Sequence, residues 1–193
     1  MAPPLSDVER LTIRAALEDL NTAFCHHLDH DDVDELLGLF TDDVYYTHGT
    51  RVSRGKAELE QVFRSRSATQ TRTARHLYSG LKLEIESATS ARGTSVCMTF
   101  GAYGDPPLSP AIPTLVADFV DRYVCGDDGK WRFKERHIHR IFVAPDNPGP
   151  IGQKKKTRRP RLAPYSNNGM TQMRKATSAM NDATRNTLSA SGT

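Results

Sequence analysis

The spacing of apolar residues changes once along this chain, and that change limits the possible folds more than any other feature. Between Ile13 and Leu28 the apolar residues recur every three or four positions, which predicts an amphipathic helix of about 22 residues. The capping-box pattern Ser6–Glu9 opens that helix. From Leu81 to Ile85 apolar and polar residues alternate instead, as they do in strands. Helices followed by strands predict an α+β fold.

Two further helices and five strands follow from the same analysis. Val33, Leu36, Leu37 and Phe40 are predicted to form the apolar face of a second helix, and Leu59, Val62 and Phe63 that of a third helix opened by Ser53–Lys56. Strands are expected at 43–48, 76–87, 94–103, 114–125 and 130–143, with a turn at 87–93 and a proline-rich loop at 104–113.

The last two strands can be aligned residue by residue. Asp128-Gly129 is a two-residue turn signal, and a hairpin closed by it places Asp121 opposite Arg136 and Phe119 opposite Ile138. On the other face Arg122 lies opposite Glu135, and Asp118 lies opposite His139. Complementary charges therefore meet at three positions, which a shifted register would lose.

Charge divides the chain into two parts. Residues 150–193 carry nine Lys or Arg and a single acid, a net +8, whereas residues 1–149 carry −5 of the total +3. We predict one domain at 1–150 and a basic, polar, flexible tail at 151–193. The acidic domain argues against nucleic-acid binding.

Sequence features also predict the cellular location of the protein. No apolar run is long enough to span a membrane, and the N-terminus lacks the basic and apolar regions of a signal peptide. The three cysteines have no C-x-x-C spacing, so we expect reduced thiols in a cytoplasmic protein. His26 and His30 have a usable ligand spacing, but no third ligand appears at a matching place, and we predict no metal.

Proton-transferring groups cluster early in the chain. Asp29 lies where the first helix is expected to end, and Tyr46 and His48, two residues apart, share one face of the first strand. Asp29 could equally end one helix and cap the next, and Tyr46 could be an ordinary core residue. From the residues alone these alternatives stay open.

Five short segments, taken in order, resemble the SnoaL-like branch of the nuclear transport factor 2-like superfamily. They are Leu28-Asp29, Leu39–Val44, Arg54–Lys56, Arg75-His76 and Gly129–Arg136, and the resemblance covers residues 5–145. It implies a cone-shaped α+β barrel, in which about three N-terminal helices pack on a strongly curved antiparallel sheet. It also implies a homo-oligomer, either a dimer or a trimer.

Enzymes of that branch carry catalytic residues to which positions of this chain correspond. Scytalone dehydratase, hexachlorocyclohexane dehydrochlorinase and bile acid 7α-dehydratase pair an aspartate at the end of the first helix with a histidine on a later strand. By this resemblance Asp29 and His76 would form the catalytic dyad, with Arg136 stabilising negative charge and Tyr46 hydrogen-bonding to substrate. Phe24 stands where the dehydrochlorinase has a lysine, which argues against dehydrochlorination.

Two structural alternatives compete with these roles. Simple alternation places His76 on the face opposite Leu81, so an inward-facing His76 requires a bulge near Ser79-Gly80. Arg136 and Asp121 could form nothing more than a cross-strand ion pair.

The predicted function follows from this set. We expect a largely apolar pocket that takes a small hydrophobic or polycyclic oxygenated substrate, with Asp29, His76 and Arg136 inside it. Its substrate-binding residues would be Leu20, Phe24, His48, Phe63, Phe119, Asp121 and Ile138, with Tyr46 among the lining. The first hypothesis is a lyase or isomerase without a cofactor, specifically a dehydratase. The alternatives are a polyketide-type cyclase and a non-catalytic subunit like the small subunit of ring-hydroxylating dioxygenases.

Overall fold

A computed structural model describes residues 4–145 of the chain. The predicted basic tail at 151–193 lies outside the described residues. The elements, in chain order, are α1 (Asp7–His30), α2 (Val33–Gly38), β1 (Phe40–His48), β2 (Arg51–Arg54), α3 (Lys56–Arg64), β3 (Arg72–Ser87), β4 (Ser90–Tyr103), β5 (Leu115–Cys125) and β6 (Trp131–Val143).

Both ends of α1 are determined locally. Ser6 and Glu9 form the predicted capping box, in which the backbone N–H of Ser6 donates to the Glu9 carboxylate at 2.8 Å. The helix ends at Asp31, whose φ of 56° is left-handed and turns the chain towards α2. Asp29 therefore occupies the last turn of α1, where its position is held by the helix.

Several predicted boundaries were wrong, including the start of β3, which lies at Arg72 rather than at 76. Phe40 belongs to β1 rather than to the second helix, because β1 runs beside β6 and the N–H of Phe133 donates to the Leu39 carbonyl at 2.9 Å. Residues 51–54 form a strand paired with β1, so α3 begins only after Gly55. β3 and β4 join at a tight turn, with Ser87 opposite Ser90, where a seven-residue turn was expected.

The six strands form one curved, unclosed sheet in the order β2-β1-β6-β5-β4-β3. Neighbours run antiparallel, except that β1 and β6 are parallel. The predicted pairing of β5 with β6 is confirmed at all four positions: Asp118 with His139, Phe119 with Ile138, Asp121 with Arg136, and Arg122 with Glu135. With the three helices packed on it, this sheet makes the α+β cone that was predicted.

The core lies between α1 and the concave face of the sheet. Phe24 of α1 is 1% exposed and meets the rings of Phe40, Phe119 and Phe133 edge-on, with centroids 5.8–6.2 Å apart. This aromatic cluster covers one end of the cone. None of the helices within residues 4–145 is long and apolar enough to span a membrane.

A bulge in β3 turns His76 inward. The pairing of β3 with β4 slips between Ser79 and Lys82, and Gly80 there has a φ of 67°, which glycine adopts without a steric penalty. One extra residue reverses the alternation, so His76 lies on the same face as Leu81. This is the bulge that an inward-facing His76 required.

Candidate active site

Asp29 and His76 are joined by two hydrogen bonds. The Nδ1 of His76 lies 2.5 Å from Oδ1 of Asp29, and the backbone N–H of His76 donates to Oδ2 at 2.7 Å. The two side chains are 10% and 6% exposed. Both carboxylate oxygens are therefore occupied by the same residue, which holds the imidazole in one orientation.

The ionisation of this pair favours a neutral imidazole beside a charged carboxylate. Burial lowers the pKa of His76, and the nearby guanidinium groups of Arg66 and Arg72 act in the same direction, against the opposing effect of Asp29. Burial acts to raise the pKa of Asp29, but the hydrogen bonds and charge of His76 outweigh it, so that pKa lies below its usual value. Nδ1 then carries the proton that is donated to Asp29. Nε2 is left without a hydrogen-bond partner among residues 4–145.

His76 lines a cavity inside the cone. The empty volume is about 820 Å³ with the solvent at its mouth included, which sets an upper bound on the room for a ligand. Seven of the predicted site residues line it, namely Phe24, Tyr46, His48, Phe63, His76, Phe119 and Ile138. Asp29 lies behind His76. Three predicted residues, Leu20, Asp121 and Arg136, are absent from the lining, so their expected positions in the pocket were wrong.

Arg136 lies in the core beneath the cavity. It is 0% exposed, and its Nε and Nη2 donate to the two carboxylate oxygens of Asp121 at 2.8 Å each. Nη2 also donates to the side-chain oxygen of Asn21 at 2.6 Å. The guanidinium carbon lies 4.2 Å from the ring centroid of Phe24, 4.5 Å from Phe119 and 3.9 Å from Phe133. The aromatic cluster thus separates the guanidinium from the cavity.

Tyr46 and His48 are both neutral at neutral pH. Burial raises the pKa of the Tyr46 hydroxyl. Burial, together with Arg140 and Arg51, lowers the pKa of His48 to about 3. Tyr46 can therefore donate a hydrogen bond to a substrate oxygen, whereas His48 cannot supply a proton as an imidazolium.

Four arginines also line the cavity, and none was predicted from the sequence. Arg51 opens β2, Arg66 follows α3, Arg72 opens β3, and Arg140 lies near the end of β6. Arg140 could have been found, because alternation places it on the face of β6 that Ile138 also occupies. The other three lie at strand ends or in a loop, where periodicity says nothing about direction. The cavity is therefore strongly basic, in contrast to the largely apolar pocket that was expected.

A possible metal cluster lies at the surface near the end of α1. His26, His27 and Asp32 each place one ligand atom within 4.8 Å of the others. The cluster differs from the predicted pair, because His26 is grouped with His27 and Asp32 and not with His30. His26 and Asp32 are exposed, however, and solvated groups of this kind are common, so the cluster does not change the prediction that no metal is bound.

The family is decided by a match over most of the domain. Residues 9–137 match the family of SnoaL-like domains. The chain belongs to the SnoaL-like family. None of the curated proteins matches the chain.

Several solved structures show the same fold as this chain. A putative scytalone dehydratase from Novosphingobium aromaticivorans is 23% identical, with a TM-score of 0.64, and the match covers 78% of this chain and 100% of that one. Hexachlorocyclohexane dehydrochlorinase LinA-type3 from Novosphingobium barchaimii is 21% identical over 72% and 93%, with a TM-score of 0.60. ActVI-ORFA from Streptomyces coelicolor is 20% identical over 68% and 99%, with a TM-score of 0.60. At these identities the likeness concerns the fold.

Proposed function

We propose that this SnoaL-like protein is a lyase that needs no cofactor, and that it eliminates water from a hydroxylated carbonyl compound with His76 as general base. The observation that carries the proposal is the buried, doubly hydrogen-bonded Asp29–His76 pair, which faces an open cavity. A scaffold subunit would need no such pair. The scytalone dehydratase and dehydrochlorinase among the similar structures are consistent with elimination chemistry.

The proposed reaction uses the neutral imidazole. Nε2 of His76 removes a proton from the carbon beside the substrate carbonyl, and the C–H electron pair forms a carbon–carbon double bond as the C–O bond breaks. The imidazolium formed returns its proton to the departing oxygen, so water leaves and His76 is regenerated. Asp29 holds the tautomer and stabilises the imidazolium, and proton transfer of this kind contributes roughly 10²–10⁴-fold to rates. Tyr46 donates to the carbonyl oxygen as negative charge develops there.

The test is turnover of a panel of β-hydroxy ketones, including polycyclic ones, followed by mass spectrometry. On a substrate that loses water, His76→Ala and Asp29→Asn should each lower kcat at least about 100-fold, in line with the general-base contribution. His139→Ala is the matched control, because His139 is exposed on β6 and should leave the rate unchanged. Full turnover by both site variants would refute the proposal. A product of unchanged mass would instead indicate the cyclase or isomerase alternative.

A further inference from the structure

Three of the four arginines of the cavity lie at one end of the sheet, and Arg66 lines the same cavity from the segment between α3 and β3. Arg51 is paired with His48, the last residue of β1, and Arg140 lies two residues beyond Ile138, which is also paired with His48. Arg72, the first residue of β3, is paired with Tyr103, the last residue of β4. These strand ends form one end of the cone, opposite to the end that the aromatic cluster fills.

Two of these guanidinium groups rest against glycine backbone. A Cβ placed on Gly49 would lie 2.7 Å from Nη2 of Arg140, and one on Gly101 would lie 2.9 Å from Nη2 of Arg72. Any larger residue at either position would displace the arginine head. The chain therefore leaves room for both groups where they line the cavity.

No carboxylate pairs directly with this cluster within the described residues, and Asp29 and Asp31 act on Arg66 and Arg72 only from a greater distance. None of the four arginines has a carboxylate oxygen within 4.0 Å among residues 4–145, and no acid lines the cavity. Elsewhere in the domain arginines such as Arg64 and Arg92 each reach two acids. Arginines on the outer surface of the domain are thus paired with carboxylates, whereas those of the cavity are not.

Among the residues that the structure describes, several polar atoms of this cluster are buried without a hydrogen-bond partner. These atoms are Nε of Arg51, Nη1 of Arg72, and Nε and Nη2 of Arg140, together with Nε2 of His48. Burial lowers the pKa of Arg66 to about 10, with Arg72 adding to the effect, so the group stays protonated at neutral pH. Buried donors that lack an acceptor are costly, and like charges add to that cost. Both costs are relieved when an acceptor with negative charge enters.

We propose that the ligand of this cavity is a hydrophobic molecule bearing an oxyanion group, which the Arg51, Arg66, Arg72 and Arg140 guanidiniums bind while its apolar part lies against Phe24, Phe63 and Phe119. A carboxylate or a phosphate fits the planar fork of an arginine, which donates two parallel hydrogen bonds to either group. Calling this ligand the substrate rests on the proposed function, but the binding itself does not.

Binding should be measured by isothermal titration calorimetry with four probes: 2-naphthoate, 2-naphthyl phosphate, methyl 2-naphthoate and inorganic phosphate. We expect at least one of the two naphthyl anions to bind at least about tenfold more tightly than the neutral ester, since a hydrogen bond to a charged group is worth more than a neutral one. The stronger of these anions identifies the oxyanion. Inorganic phosphate should bind more weakly than the naphthyl phosphate because it buries no apolar surface.

Arginine variants distinguish specific binding of the anion in the cavity from non-specific electrostatic attraction to the protein. Arg51→Gln and Arg140→Gln should each weaken the preferred anion about tenfold or more, and should leave binding of the methyl ester unchanged. Arg54→Gln is the matched control, because Arg54 lies on β2 with Arg51 but is exposed and stacks on Tyr45. Circular dichroism melts confirm that each variant is folded.

Three results would overturn the inference: neither naphthyl anion binding more tightly than the methyl ester, an Arg54→Gln loss as large as that of Arg51→Gln, or no binding of any anion. Turnover distinguishes this inference from the proposed function. Anion binding without any turnover would refute the lyase and leave the oxyanion site standing. Turnover of neutral substrates that depends on His76, together with no preference for anions in the binding assay, would support the lyase and refute the oxyanion site.

Discussion

Asp121→Ala should destabilise the protein by about 3–5 kcal/mol, the range observed when one partner of a buried ion pair is removed. Arg136 is 0% exposed and Asp121 is 1% exposed, so bulk solvent does not screen this ion pair. The substitution deletes both 2.8 Å hydrogen bonds to Arg136 and leaves its charge with the Asn21 oxygen and three aromatic rings. Tyr123, whose hydroxyl donates to Asp121 at 2.9 Å, loses its acceptor as well.

The neighbouring pair on the same two strands provides the control. Arg122 and Glu135 lie 3.7 Å apart and are 54% and 30% exposed, so Glu135→Ala should cost less than about 1 kcal/mol. Urea unfolding followed by circular dichroism measures both. With a slope of roughly 1–3 kcal/mol per molar urea, the Asp121→Ala midpoint should fall by at least about 1 M.

A double variant tests the cause. In Asp121→Ala with Arg136→Met the uncompensated charge is gone, so the double variant should be more stable than Asp121→Ala alone. Equal losses for Asp121→Ala and Glu135→Ala, or costs that simply add in the double variant, would show that burial of the guanidinium does not set the energy.

Two predictions concern pH. The rate of the proposed elimination should fall as the pH drops below the pKa of His76, which lies under its usual value. Asp29 acts to raise that pKa, so Asp29→Asn should shift the acidic side of the pH–rate profile to lower pH. A shift to higher pH would contradict this. In the folded protein the pKa of His48 is about 3, whereas in the unfolded chain it is about 6.5. Between these values the unfolded chain binds a proton that the folded protein does not. The contribution of neutral His48 to stability is therefore present above about pH 6.5 and is lost as the pH falls towards 3. His48→Phe should therefore weaken the pH dependence of the urea midpoint over that range, and an unchanged dependence would count against the assignment.

Local sequence was enough to predict much of the fold. The capping box at Ser6 and the register of the last hairpin both depend on neighbouring residues, and both are confirmed. Gly80 was a visible candidate for the bulge, since glycine tolerates the positive φ that a bulge often needs. The strand at 51–54 was missed because four residues carry too little periodicity, and it is stabilised by pairing with β1.

The candidate site, like the fold, was predictable from the sequence only in part. Asp29 at a helix end and His76 on a strand could be named in advance, because a resemblance of pattern assigns them to corresponding positions. Alternation puts Arg136 and Arg140 on one face of β6, although only Arg136 was predicted as a site residue, and alternation says which face a side chain lies on but not how deeply it is buried. The curvature of the sheet and the aromatic residues that α1 brings against it decide depth. Through that packing Arg136 lies in the core while Arg140, four residues later, reaches the cavity.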